Sequence, residues 1–262
     1  MRRLSLPIVI VLSFAIAACL TTLALAQGPD RKDENPTETT PLAPFKRIEV
    51  SGVANIILVQ DTNGPLVASV PQNADAKVSV KVQKETLIIK SADGGRWWGK
   101  LFGRGPSGTT QLTIHFKDLE AIDVSGGVRI SSRQMRVPAL RIEGSGGTTI
   151  QIDDLRTSTL AIDGTGALKA EIAGHATEQR ISVSGAADYQ AAKLQSDTAS
   201  VDVSGAGKIV INVRKKLDAS ISGAGVVEYI GDPAVTQSIS GAGRVKRRET
   251  ADADGPRIAL RD

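Results

Sequence analysis

The sequence predicts an all-β fold, a single-stranded β-helix or β-solenoid of 18–20-residue rungs, and three observations carry that expectation. First, Gly126, Gly146, Gly166, Gly185, Gly205, Gly223 and Gly241 recur at near-constant spacing, each directly after a serine or threonine. Second, the same columns return around each glycine. Two positions before it stand Val124, Gly144, Gly164, Val183, Val203, Ile221 and Ile239, and four before it Ile122, Ile142, Ile162, Ile181, Val201, Ala219 and Gln237. Four positions after it come Ile130, Ile150, Ala170, Tyr189, Ile209, Val227 and Val245. Even offsets are mostly apolar, which is the period of a strand with one face inward. Third, 26 glycines against eight aromatics suit thin stacked rungs better than a core of large side chains.

A strand of this length cannot bury its apolar face alone, but rungs stacked about 4.8 Å apart merge their columns into one core. At ~3.3 Å per residue a rung is a circuit of roughly 60 Å, room for two or three short sides. The glycines mark a corner, where Ser204–Gly207, Ser222–Gly225 and Ser240–Gly243 each read Ser-Gly-Ala-Gly. Crossovers between parallel strands are generally right-handed, so a right-handed coil is expected.

The chain opens with Met1-Arg2-Arg3 and an apolar run ending at Ala24-Leu25-Ala26, the small-x-small pattern of a cleaved signal peptide over residues 1–26. A rival reading exists, because Ile16-Ala17-Ala18-Cys19 resembles a lipobox that would make Cys19, the single cysteine, a lipid-carrying first residue. Either reading exports the protein, to the periplasm, the cell surface or the medium, and neither allows an intramolecular disulfide. Beyond residue 26 no stretch is apolar enough to span a bilayer. Residues 27–44, with Pro29, Pro36, Pro41 and Pro44 among charges and threonines, are expected to form a disordered linker, and order to begin at Phe45. The solenoid is expected over 45–245 and a charged disordered tail over 246–262, starting at Lys246-Arg247-Arg248.

Within 45–118 the repeat occurs once, as Ile48-Glu49-Val50-Ser51-Gly52 with Ile56 four positions after the glycine. The interval from Gly52 to Gly126 comes close to four rung lengths and holds strand-like runs at 66–70, 78–82, 87–89 and 111–116. Their corners, Asn63-Gly64-Pro65 and Pro71-Gln72-Asn73, differ from the later ones, so wider rungs or a hairpin are expected before the regular repeats of 119–245. No helix of useful length is visible after the leader.

The opening Phe45–Gly52 followed by Ile56-Ile57-Leu58-Val59-Gln60, the strand end Thr86–Ile89, and the serial Val-Ser-Gly-Ala-Gly and Ile-Ser-Gly-Ala-Gly corners together resemble the auto-transporter adhesin head GIN domain family. The resemblance covers roughly Phe45–Val245 and implies an exported β-helical domain with an adhesive or surface role; it brings no catalytic residues. The chain departs from the pattern at Asp163–Ala167 and Ser184–Ala187, which lack the second glycine, so local corner geometry should differ there.

The formal net charge is +4, and loss of Arg2 and Arg3 with the leader leaves +2, too balanced to argue for nucleic acid. His115, expected on a strand surface, and His175, expected in a loop, are the only histidines, and no Cys or His ligand spacing or nucleophile–base pair occurs, so neither metal, cofactor nor acyl-transfer chemistry is expected. The most organised outward feature is acidic: Asp123, Glu143 and Asp163 stand three positions before successive glycines, with Glu49 at the matching earlier site. Two such charges about 5 Å apart repel by roughly 1 kcal/mol in water, so a neutralising partner is needed. Arg141 on the same face and the basic column Arg129, Lys169, Lys208 and Arg244 are the candidates; a hard cation is the competing answer, without an Asp-rich calcium turn to support it.

The least repetitive segment, 92–108, carries both tryptophans. Trp97, Trp98 and Phe102 among Arg96, Lys100 and Arg104 could stack on sugars or enter a lipid interface, or the segment could cover the β-helix. Two functions follow. The leading one is a noncatalytic binding or scaffolding module whose partner is an envelope glycan, lipid surface or protein, with end rungs through which copies could also self-associate. The alternative is a polysaccharide lyase or hydrolase using Asp123, Glu143 and Asp163 as stacked acids.

Overall fold

In a computed structural model, which describes residues 37–71, 78–91 and 111–248, every regular element is a strand. Among the described residues there is no helix, and so none long and apolar enough to cross a membrane. The strands are β1 (Thr37–Pro41), β2 (Arg47–Gln60), β3 (Val67–Pro71), β4 (Val78–Gln83), β5 (Thr86–Ser91), β6 (Gln111–Phe116), β7 (Ala121–Ser132), β8 (Met135–Arg136), β9 (Ala139–Ile230), β10 (Ala234–Gly241) and β11 (Arg244–Arg247). They join in one mixed sheet with the path β1-β3-β6-β2-β7-β9-β10.

The pairing from β2 onward along this path is parallel. β7 lies on β9 with Ile122 beside Ile142 and Ile130 beside Ile150, and β10 lies on β9 with Ile239 beside Ile221, so equivalent positions of successive repeats are neighbours. The 92 residues of β9 would reach about 300 Å if straight. Positive-φ glycines turn it instead. Gly146 and Gly166 have φ of +101° and +116°, and a Cβ added there would stand 2.7 Å from the Gly126 carbonyl oxygen and 2.6 Å from that of Gly146. Only glycine lets the corner of each repeat rest on the corner before it.

The apolar columns face inward. Ile122, Ile142, Ile162, Ile181, Val201 and Ala219 are buried, as are Ile130, Ile150, Ala170, Tyr189, Ile209 and Val227 in the column beyond the corner. At the final repeat the pattern opens: Ile239 is 40% exposed, and no later described strand covers β10.

The corners that lack the second glycine have a packing reason. At Val203 and Ile221 a large residue stands two before the corner and a glycine, Gly207 or Gly225, two after it, while Val183 is matched by Ala187. A Cβ on Gly225 would come within 3.0 Å of Val203, and one on Gly243 within 2.5 Å of Ile221. Where the residue before is Gly144 or Gly164, Thr148 or Leu168 fills the space, and a Cβ on Gly164 would meet Leu168 at 3.1 Å. From Gly146 onward each corner therefore combines one larger side chain with a glycine or alanine, the larger one contributed from one side or the other.

The region before Gly126 departs from the expectation. β2 pairs directly with β7, Gly52 beside Gly126, so the intervening chain is not four stacked rungs. It forms the N-terminal boundary of the sheet: β5 lies parallel on Arg47–Ser51 and β6 parallel on Asn55–Gln60, while β4 returns antiparallel on β5 and β3 antiparallel on β6. The hairpin and the turn at Asn63-Gly64 agree with the sequence; Asp61 Oδ1 accepts the amides of Asn63 and Gly64 at 3.1 and 2.7 Å. Two boundaries move. Order begins before Phe45, since β1 pairs antiparallel with β3 and Leu42 donates its amide to Leu66, and it runs past 245, since Lys246 and Arg247 belong to β11.

Corner complementarity is testable by exchange. Gly164→Val should destabilise by about 2 kcal/mol through overpacking and Leu168→Gly by about 3 kcal/mol through the void it leaves. The double variant, which rebuilds the Val203/Gly207 arrangement, should recover most of the combined loss in urea unfolding. Additive losses would show that the two sites do not share one space.

Candidate functional site

The corner glycines fix the register and, with it, the acids. Because Gly52 stacks beside Gly126 and Gly126 beside Gly146, Glu49 stands beside Asp123 and Asp123 beside Glu143. With Asp163 they line a shallow groove of about 380 Å³, in which the hydroxyl residues Ser51, Ser125, Ser145 and Thr165, two positions further along each strand, form a second column. Ser145 Oγ leans back to the Val124 carbonyl at 3.4 Å.

Neutralisation comes from one residue. Arg141 Nε donates to Glu143 Oε1, and its Nη2 lies 2.9 Å from Asp163 Oδ2. These two carboxylates hold the guanidinium further into its charged form. The basic column does not serve the acids: Lys208 lies 3.4 Å from Glu228 instead. Asp123 has no salt bridge among the described residues. Partial burial pushes its carboxyl above the ordinary range, and repulsion from Glu143 and Glu49 pushes in the same direction, against weaker attraction from Arg47 and Arg141.

This groove offers acceptor oxygens and hydroxyls in two columns. It offers little reaction chemistry, because Glu143 and Asp163 are engaged by Arg141 and no histidine or lysine is among the described residues that line it. Among the described residues no group of three His, Cys, Asp or Glu side chains could hold a metal ion.

Of the other sequence candidates, Arg96, Trp97, Trp98, Lys100, Phe102 and Arg104 lie outside the described residues, as does Cys19. The segment's flanks are placed: it leaves from Ser91 at the end of β5 and re-enters at Gln111 at the start of β6, the two strands that cover β2. His115 is half-buried in β6; His175 is exposed but lies within β9, directly after the positive-φ Gly174, and not in a loop.

Sequence reasoning missed two polar features. Buried Tyr189 donates to Gln179 Oε1 at 2.9 Å inside the core, and burial pushes the phenol up. Glu228, 8% exposed, meets Lys246 Nζ at 3.0 Å, Lys208 Nζ at 3.4 Å and Arg248 Nη1 at 3.9 Å. Its carboxyl is held low, first by the Lys246 hydrogen bond. The repeat spacing that sets Lys246 beside Glu228 was a readable signal.

The family model described as "Putative auto-transporter adhesin, head GIN domain" matches residues 44–233. Solved structures of similar fold include the following three. A putative adhesin from Bacteroides fragilis has a TM-score of 0.72 at 22% identity, covering 81% of this chain and 96% of its own. A putative lipid binding protein from Parabacteroides distasonis scores 0.61 at 19% identity, covering 82% and 96%. A putative adhesin from the same species scores 0.58 at 21% identity, covering 81% and 96%. At these identities the likeness is one of fold. A comparison with curated proteins finds no match.

A raised carboxyl makes ionisation of Asp123 a cost to the folded state, so its contribution to stability falls as pH rises from the unfolded to the folded value. Asp123→Asn should therefore raise the melting temperature at pH 7 and give no gain near pH 3. Thermal unfolding at both values checks this, and an equal gain at both would show that the effect is not ionisation. Glu228→Gln should lower stability by about 1 kcal/mol at pH 7 by leaving three cations without their shared acceptor. That loss should shrink as acid protonates the wild-type carboxyl, read from urea midpoints at pH 7 and pH 3.

Proposed function

The chain belongs to the auto-transporter adhesin head GIN domain family, and from that premise we propose that it is a noncatalytic, exported β-solenoid that binds or scaffolds at the bacterial cell envelope. The carrying observation is the repeated parallel register, Ile122 beside Ile142 and Ile221 beside Ile239, which builds a long uniform face from near-identical corners. Such a face gives extended contact and few reactive groups. The register also supports 18–20-residue rungs, and the general preference of parallel crossovers supports a right-handed coil.

Export rests on residues 1–26, with cleavage after Ala26 or lipidation at Cys19, and places the domain in the periplasm, at the surface or outside the cell. Segment 92–108 is the proposed contact site. Its aromatic and basic residues, Arg96, Trp97, Trp98, Lys100, Phe102 and Arg104, break the repeat, and its flanking strands cover the first repeat at the N-terminal boundary of the sheet. A glycan or an anionic lipid surface suits that chemistry. The alternative, polysaccharide cleavage by Asp123, Glu143 and Asp163, gains no support, because Arg141 occupies two of the three acids.

The test is co-sedimentation of the purified chain with isolated envelopes, peptidoglycan, liposomes and soluble polysaccharides, with reducing ends measured in parallel. Binding to an envelope fraction without new reducing ends is expected, and Trp97→Ala with Trp98→Ala should weaken it at least about tenfold while the β-sheet circular dichroism is unchanged. Unaltered binding would remove 92–108 as the site. Reducing ends that vanish in Asp163→Asn would make the chain an enzyme and overturn the proposal.

A further inference from the structure

Among the described residues the last strand of the sheet path has an uncovered edge. β10 pairs with β9 on one edge and with nothing described on the other, and all eight of its residues are exposed. Its sequence, Ala-Val-Thr-Gln-Ser-Ile-Ser-Gly, contains no charge and no proline, and Val235 and Ile239 are 37% and 40% exposed. Soluble proteins usually guard such an edge with lysine, proline or a covering element. The N-terminal boundary of this sheet is guarded in that way: it ends in antiparallel pairings, with Lys81 in β4, Lys84 in the following turn, and Pro41 in β1.

We propose that β10 pairs antiparallel with β10 of a second copy of this chain, giving a closed two-fold dimer through the C-terminal ends of the two sheets. The strand is self-complementary about Gln237. A two-fold axis there sets Val235 of one copy opposite Ile239 of the other, an apolar cross-strand pair on the side that continues the core columns of Leu217 and Ile221. Gln237 meets its own counterpart, and side-chain amides can bond to each other across the axis.

β10 is neutral, so its residues meet those of a second copy without repulsion, and Asp232 just before it is already paired with Arg247 of its own copy at 3.3 Å, so the contact rests on the strand itself. Head-to-tail stacking would instead bring β10 against the guarded antiparallel boundary and would have no reason to stop at two copies. The dimer is independent of what the chain binds at the envelope.

The experiment is sedimentation equilibrium on the purified chain in a Cys19→Ser background, with circular dichroism on every variant. A concentration-dependent mass rising to twice the monomer is expected. Ile239→Lys, which places a charge in the paired edge, should raise the dissociation constant at least about tenfold. Gln237→Cys should form a reducible covalent dimer on mild oxidation. Thr236→Cys should not, since its counterpart lies off the axis, beyond the ~7 Å Cα separation that a disulfide spans. If Ile239→Lys fails to fold, the cysteine pair decides the matter. A monomeric mass at all concentrations, with β10 bare or covered by residues 249–262, would overturn the proposal. So would open-ended oligomers, or a dimer that ignores Ile239→Lys and gives no Gln237 cross-link.

Discussion

Everything in this fold depends on one close approach, backbone on backbone at the repeat corner. The carbonyl oxygen of Gly52 stands 2.3 Å from where a Cβ on Gly126 would lie, and that of Gly166 at the same distance from a Cβ on Gly185. The contact excludes every side chain, so it fixes which residue of one repeat lies beside which residue of the next. A slip of one position would turn the buried isoleucines of the inward columns out to solvent. The corner and the core thus specify the same register independently. That agreement lets repeats of slightly unequal length share one sheet, because the length varies away from the corner.

The same constraint stacks like with like, which suits isoleucine and disfavours carboxylates. At the start of the regular repeats it aligns Glu49, Asp123 and Glu143, and the chain answers with Arg141, two positions before Glu143 on the same strand and within reach of Asp163 on the next repeat. Asp123 carries the remaining cost as a raised carboxyl. Near the C-terminal end the solution is reversed. Glu228 is nearly enclosed and collects cations from both neighbouring repeats, Lys208 from one and Lys246 from the other. Surface ion pairs contribute little singly, but a buried carboxylate with several donors adds to register specificity by penalising any other alignment.

The columns around the corner glycines were legible because two periods coincide there, alternation along the strand and a full rung between repeats. The corner exceptions were legible in principle too, since Gly144 with Thr148 and Gly164 with Leu168 simply exchange the large and small positions of Val203 with Gly207. In the interval from Gly52 to Gly126 the strand runs and a hairpin were legible, but their pairing was not. The interval's length imitates four repeats, while the pairing of β2 with β7 is set by tertiary packing across that gap. The β4–β5 turn hid in the same way: Lys84 and Glu85 adopt φ of 49° and 60°, where hairpin sequences normally place Asn-Gly, so propensity carried no signal. β1, in a proline-rich segment, and β11, in a basic one, are ordered by neighbours that local composition does not reveal. The acidic column and Arg141 as a candidate partner were visible as spacing, but the reach of Arg141 to Asp163 required knowing which repeat lies beside it.

A repeat this tightly specified leaves little freedom on its regular faces. Inward positions are committed to packing, corner positions to glycine or to its complementary bulky neighbour, and from Gly126 onward the residues directly adjoining the corner glycine recur as Ser or Thr before it and Gly or Ala after it. On the proposed function, selective contact comes from departures: the aromatic segment 92–108 of the sequence, the hairpin β4–β5, and the strand β10 where the described sheet path stops. The first two lie before the regular array and the last beyond it. In that proposal the array is a spacer of fixed register, and its length, set by the number of glycine corners, sets the distance between the β4–β5 hairpin and β10. Adding or removing one repeat would then change that separation by about 4.8 Å while leaving the chemistry of each end intact.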